Sequence, residues 1–175
     1  MRPIILPLLA LLAGCSTIRE AETVAVKEVA SAQMLRADGS VAGVATLSLQ
    51  DDGIMLELAA DAPGKGGFGV HLHSVGRCDA PDFASAGPHW NPQGKQHGHD
   101  NPAGAHLGDL PNLTSDVEGR LYAKGMIRDA LWDGPSGLFD ADGIAIVIHE
   151  RPDDYRTDPS GNSGKRILCG VFAKP

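Results

Sequence analysis

The sequence predicts an all-β domain, a Greek-key eight-stranded barrel or sandwich carrying two long functional loops. Three observations predict it. The 175 residues include 22 Gly and 12 Pro but only 5% aromatics, a balance that favours short strands and shaped loops over a helical bundle. Apolar residues alternate with period two in short segments that end at turn signals. Two stretches, 74–111 and 150–165, show no sustained period and are crowded with Gly, Pro, Asp and Ser or Asn. Unstructured loops of such length in a compact domain call for a function that holds them.

The chain opens with a segment that does not belong to the fold. Met1-Arg2 is a short positive start, residues 3–13 are almost wholly apolar, and Leu12-Ala13-Gly14-Cys15 then gives way to Ser16-Thr17. A short apolar run ending at small residues reads as an export signal. The tetrapeptide resembles the bacterial lipobox, where cleavage precedes a cysteine that then receives lipid. Residues 1–14 are therefore expected to be a lipoprotein signal peptide and Cys15 the lipidation site. Residues 15–29 form a polar, Ala-rich tether, and 30–175 a single domain. The expected location is the periplasm, anchored to a membrane. Ser16, lacking the acidic residue that retains lipoproteins at the inner membrane, favours the outer one.

With Cys15 lipidated, Cys78 and Cys169 remain, and export places them where disulfides persist, so the two can pair. Net charge is −7 and becomes −8 when Arg2 leaves, with 14 basic against 22 acidic residues. No basic cluster stands out, which excludes nucleic acid as a partner. Beyond the anchor no run of about 18 apolar residues exists to cross a bilayer. The sequence admits a homodimer as well as a monomer.

The strands follow in order. Residues 30–36 lead into the tight-turn pair Asp38-Gly39. Residues 41–50 place Ala45, Leu47 and Leu49 on alternate positions, and Asp51-Asp52-Gly53 turns the chain again. Ile54, Leu56 and Leu58 alternate in the next strand, completing a half-buried antiparallel meander. A metal-strand candidate ends at His73, and the first loop follows at 74–111. Strand signals resume at 121–127 and 144–149, with Asp142-Gly143 as the intervening turn, and the last strand is 167–172.

Six of the seven histidines fall between positions 71 and 106. In Val70-His71-Leu72-His73 alternate side chains share a strand face, so both imidazoles project from one rigid element while Val70 and Leu72 pack behind. His149 ends a strand whose Ile144, Ile146 and Ile148 share the opposite face, and it can complete a site begun by His71 and His73. His106 and Asp109, three apart with Gly108 between, can curl around one ion. Adding His97 and His89 gives three nitrogens and one oxygen, a tetrahedral zinc shell. Four imidazoles suit copper in tetragonal geometry. Zinc has no accessible redox chemistry, so electron transfer at such a pair would belong to the other metal.

These motifs converge on one family. Residues 69–73 (Gly-Val-His-Leu-His), 85–92 (Ser-Ala-Gly-Pro-His-Trp-Asn-Pro), His97, 106–110 (His-Leu-Gly-Asp-Leu), 147–150 (Val-Ile-His-Glu) and 161–171 (Gly-Asn-Ser-Gly-Lys-Arg-Ile-Leu-Cys-Gly-Val) resemble the bacterial copper/zinc superoxide dismutases in order, residue type and spacing. The likeness spans about residues 30–173, and it implies two cofactors, copper and zinc. His71, His73 and His149 match the copper-only ligands, and His89 the imidazole that touches both metals. His97, His106 and Asp109 match the zinc set completed by His89. Cys78 and Cys169 match the family's intrasubunit disulfide. Arg166 matches the arginine beside the open copper face, and Asp153 the carboxylate that links a copper histidine to a zinc histidine.

The implied reaction is disproportionation of the superoxide anion to oxygen and hydrogen peroxide, with His89 and Arg166 as the catalytic residues. The loop 150–165 lacks the long charged segment of eukaryotic members, which leaves Lys165 and Arg156 as candidates for steering the substrate. His99 has no place in the pattern, and reads either as a solvated loop residue or as a zinc ligand in place of His97. Two rivals are weighed against the enzyme. A non-enzymatic copper-binding or delivery module on the same fold does not need every copper position and Arg166 filled, as they are here. A two-metal hydrolase uses bridging carboxylates or hydroxide and hard cations, whereas this cluster is nearly all imidazole.

Overall fold

The structure, a computed structural model, describes residues 28–174. The export signal, Cys15 and nearly all of the tether lie outside them. Eight antiparallel strands form a nearly closed barrel: β1 (Val29–Leu35), β2 (Val41–Gln50), β3 (Gly53–Asp61), β4 (Gly67–His73), β5 (Asp109–Thr114), β6 (Arg120–Ile127), β7 (Ala145–His149) and β8 (Arg166–Val171). Their spatial order is β5-β4-β7-β8-β1-β2-β3-β6. The β3–β4 and β6–β7 connections cross to the other half, which is the Greek-key wiring, and β5 packs against β6 at the seam without a paired ladder.

Local chemistry explains the meander. At 36–40 the backbone closes through Gly39 N–H to Arg36 O, and Asp38 Oδ1 accepts from Ser40 N–H. Inward residues then alternate as expected: Ala45 and Leu47 in β2, and Ile54, Leu56 and Leu58 in β3, are all buried. They meet Ile146, Ile148 and Leu168 from the other half in one core.

Strand β7 departs from the half-buried pattern, since all five of its residues are buried. Its inner face joins the barrel core. Its outer face, Ala145 and Val147, packs with Cys169, Phe83 and Ala86 in a second apolar cluster beneath the first loop. That loop therefore does not rely on ligands alone, because Phe83 anchors it and the disulfide Cys78–Cys169 ties it to β8.

The expected loop 74–111 contains the start of a strand. β5 was hidden because Pro111 and Asn112 punctuate it, and Pro cannot donate to a ladder. It is tolerated on an outer strand where the register of β4 and β5 slips between Phe68 and Val70. At that slip Gly69 N–H turns away to Arg151 O at 2.8 Å, so the second loop docks where the sheet opens.

The disulfide joins residues 91 apart in sequence, with Cα atoms 5.7 Å apart. In the chain-entropy description a loop of that size contributes about 4–5 kcal/mol. Cys78→Ser should lower unfolding stability by an amount of that order, read from denaturant midpoints, and should loosen the first loop. Mass spectrometry finding both thiols free in active exported protein would contradict this role.

Candidate metal centre

Strand β4 is the spine of the site. His71 and His73 point outward while Val70 and Leu72 enter the core, and both imidazoles are fully buried because the loops cover that face. The main chain of Leu72 then recruits the rest. Its N–H donates to Gly108 O at 2.9 Å and its carbonyl accepts from Trp90 N–H at 2.8 Å. His89 is thereby bridged to His73, and the 106–109 turn is held alongside. A side chain on Gly108 would collide with the Leu72 and Trp90 backbones, which accounts for glycine there. On the other flank a register slip after Ile148 sets His149 opposite Arg166. Bulges of this kind re-aim side chains beside active sites.

Six imidazoles and two carboxylates are buried here: His71, His73, His89, His97, His106, His149, Asp109 and Asp153. Five of the rings share one arrangement, His97 among them, and the other four form one group. In each ring, one nitrogen is placed by the protein and the other has no hydrogen-bond partner. His71 Nε2 lies 2.7 Å from Asp153 Oδ2, His73 Nδ1 2.9 Å from Gly87 O, and His149 Nδ1 3.2 Å from Gly164 O. His89 Nδ1 lies 2.9 Å from Asp109 Oδ1. The unpartnered atoms of this group are His71 Nδ1, His73 Nε2, His89 Nε2 and His149 Nε2. Ligand atoms of these four residues all lie within 4.8 Å of one another. Buried polar atoms are almost always paired, so four convergent free nitrogens fit a metal ion that prefers imidazole.

The second cage centres on Asp109. Its Oδ1 is 2.9 Å from His89 Nδ1, 3.0 Å from His97 Nδ1 and 3.2 Å from His106 Nδ1. Four ligands at zinc distances of about 2.0–2.1 Å in a tetrahedron stand about 3.3 Å apart, a spacing near those that Asp109 Oδ1 keeps from the three imidazoles. His97 Nδ1 makes no hydrogen bond despite that proximity. Asp109 Oδ2 is occupied elsewhere, accepting from Gly98 and His106 N–H at 3.0 Å each. Ligand atoms of His71 also come within 4.8 Å of His89, His97 and Asp109. However, His71 Nε2 is committed to Asp153, and its Nδ1 faces the four-imidazole group.

Asp153 joins the two cages. Its Oδ2 meets His71 Nε2, and its Oδ1 meets His97 Nε2 at 3.0 Å. Gly161, with φ +61°, passes directly over this contact, where a Cβ would overlap both the carboxylate and the His97 ring.

The electrostatics divide the same way. Burial pushes His73 well below the usual imidazole range, lowers His71, and takes His89 to about 4 and His149 to about 3. These rings are thus neutral at pH 7, with lone pairs available. For His97, burial works against the charged form, but Asp109 and Asp153 on its two ring nitrogens raise it to about 9. Burial likewise opposes ionisation of both carboxylates, yet hydrogen bonds from the histidines hold them far below their ordinary values. The cage around Asp109 therefore attracts a cation, whereas the four-imidazole set supplies neutral nitrogen ligands.

Arg166 is half-buried beside the four-imidazole group. It donates through Nη1 to Phe83 O and through Nη2 to Gly87 O, each at 2.7 Å. The same Gly87 carbonyl orients His73. His99 stands outside both cages, exposed, with Nε2 2.9 Å from the Asp109 carbonyl, and is not a ligand in place of His97. Arg156 is turned to Asp100, 3.6 Å away, and Lys165 is exposed. The carbonyls of Phe83, Gly87 and Gly164 were invisible to sequence reasoning, because a backbone acceptor leaves no residue signature. Asn112 and Tyr155, which contact Asp153, were also missed.

A family model for "Copper/zinc superoxide dismutase (SODC)" matches residues 41–172. The chain is 41% identical over 146 residues to Superoxide dismutase [Cu-Zn] 2 of Aquifex aeolicus, covering 82% of this chain and 85% of that one. Superoxide dismutase [Cu-Zn] of Caulobacter vibrioides is 37% identical over 147 residues, covering 82% and 84%. Among solved structures, a SOD-like protein from Bacillus subtilis superposes with a TM-score of 0.76 at 37% identity, over 82% of this chain and 97% of that one. With the match running from β2 to the end of the barrel, the chain belongs to the copper/zinc superoxide dismutase family.

Proposed function

We propose that this copper/zinc superoxide dismutase works through copper held by His71, His73, His89 and His149, and zinc held by His89, His97, His106 and Asp109. The observation that carries the assignment is the convergence of four buried, unpartnered imidazole nitrogens on one point. Copper held there would supply the one-electron redox couple needed to turn two superoxide ions and two protons into oxygen and hydrogen peroxide, and zinc would supply a fixed cation. A delivery module is less well supported, since Arg166 is built into the site by two carbonyls.

His89 is the one ring with a nitrogen in each cage, Nδ1 toward Asp109 and Nε2 toward the other imidazoles. Its Nε2 is suited to taking up a proton and passing it to reduced substrate, with water supplying the second. Asp109 orients Nδ1 and so prevents the ring from turning. Arg166 spends two of its five N–H donors on Phe83 and Gly87, leaving three to bind an anion. That fixed charge matters because the chain is acidic overall, at −7, and the substrate is an anion. Local focusing of this kind overcomes bulk repulsion, and superoxide dismutase is itself a reference case for it. Arg156 is paired with Asp100, which leaves Lys165 as the better candidate for steering.

We also propose that the mature protein begins at a lipidated Cys15 and stands in the periplasm on the outer membrane. The Leu12-Ala13-Gly14-Cys15 motif supports this, as does a disulfide that persists in an oxidising compartment.

The metal assignment is tested by removing one residue from each set. His149→Ala should abolish dismutase activity while zinc stays bound, by metal analysis. Asp109→Ala should release zinc and cost on the order of 1–3 kcal/mol for each buried N–H left unpaired at Gly98 and His106. Near-full activity in His149→Ala would end the copper assignment.

Arg166→Ala should slow turnover with copper retained, Arg166→Glu should slow it further, and Lys165→Ala should have a smaller effect in the same direction. Raised salt should slow the wild type, because the Debye length is about 10 Å at 0.1 M. An unchanged rate in Arg166→Glu at low ionic strength, with both metals present, would remove the guiding role.

Cys15→Ala should leave unprocessed or soluble protein with the barrel intact. Wild-type protein recovered wholly unlipidated would refute the anchor.

A further inference from the structure

Asp153 must hold two imidazoles at once, yet it belongs to a long loop rather than to a strand. Something has to fix its main chain to the barrel, and the contacts identify what. Asn112, in β5, faces the Asp153 backbone with its side-chain amide. Its Oδ1 accepts from Asp153 N–H at 2.8 Å, and its Nδ2 donates to Asp153 O at 2.8 Å. The pair imitates two rungs of a ladder between residues 41 apart in sequence. Only an amide offers donor and acceptor together in this geometry. Leucine offers neither, and a carboxylate would repel the carbonyl.

A second set of contacts closes the same junction. Asn112 N–H donates to the Tyr155 hydroxyl at 2.7 Å, and Tyr155 N–H donates to Asp153 Oδ1 at 2.6 Å. Tyr155 O accepts from Asp100 N–H at 2.9 Å, which brings in the segment just after His97. Tyr155 does this at φ +61°, a conformation few non-glycine residues adopt. The junction lies where the β4–β5 register slips and Gly69 N–H goes to Arg151 O instead of to β5. The slip thus frees Asn112 from the sheet and admits the second loop to it.

We infer that Asn112 is a positioning residue for the metal centre. With Tyr155 it clamps Asp153 to β5, and thereby sets the distance and tilt between His71 of the copper set and His97 of the zinc set. The inference rests on the metal assignment above, and it goes further by placing control of both cages in a strand residue that touches neither metal.

The test follows individual imidazole N–H protons by NMR in reduced, copper- and zinc-loaded protein labelled at histidine. Those of His71 and His97 face Asp153, whereas those of His73 and His149 face the Gly87 and Gly164 carbonyls. Asn112→Ala should speed solvent exchange of the first two by about tenfold or more through local opening, and leave the other two within about twofold. Tyr155→Phe, which removes one hydroxyl and keeps the ring, should move the same two protons by a smaller factor. Asn112→Asp, which sets a carboxylate oxygen against the Asp153 carbonyl, should speed the first two at least as much as Asn112→Ala. A general loss of stability would speed all four together. That result, or no change in any of them, overturns the clamp. If metal analysis shows that the wild type does not bind copper and zinc, the metal assignment fails instead. The same comparison on metal-free protein then decides the clamp, because every contact of Asp153 described here is made by protein atoms.

Discussion

Six imidazoles and two carboxylates buried in one place impose the constraint on which the rest of this structure depends. A buried polar atom without a partner costs on the order of 1–3 kcal/mol, so each must be paired or given to a cation. The protein meets this requirement at His71, His73, His89 and His149 by giving the two ring nitrogens different surroundings. One nitrogen faces a fixed oxygen, of Asp153, Gly87, Asp109 or Gly164, and the other has no hydrogen-bond partner. The fixed bond selects the tautomer and the ring angle, so the free nitrogens converge before any ion arrives.

Those acceptors come from four separate segments, and two devices bring them together. The Leu72 backbone, at the end of β4, pairs on one edge with both Trp90 and Gly108, which draws the first loop onto the strand that carries His71 and His73. The Cys78–Cys169 disulfide and the cluster around Phe83 then fasten the same loop to β7 and β8. Gly87 O serves His73 and Arg166 together, so a shift of the loop would disturb both side chains in one movement.

Charge is arranged with the same economy. Asp109 and Asp153 both flank His97, which is drawn toward its cationic form, whereas burial keeps His73, His89 and His149 neutral. The remaining nearby positive charge, Arg166, is held at the mouth of the site by main-chain oxygens rather than by an acid. A salt bridge would have cancelled the attraction that an anionic substrate needs. Arg156, which does meet an acid, illustrates that alternative.

Much of this was legible in the residues. Period-two alternation determined the meander and the inward faces of β2 and β3, because a strand exposes its pattern directly. His71-Leu72-His73 announced two imidazoles on one face, and the spacing of His106 and Asp109 announced a turn that brings the two together, since both geometries are local. β5 was concealed, because Pro111 and Asn112 read as loop and only pairing with β4 makes them strand. The tertiary structure alone decided which nitrogen of each ring is tied and which is free, where Arg166 is tied, and that Asn112 meets the Asp153 backbone. Those choices depend on backbone carbonyls and on contacts between residues tens of positions apart. A carbonyl is the same in every residue, so nothing in the sequence marks the ones that matter until the chain has folded around them.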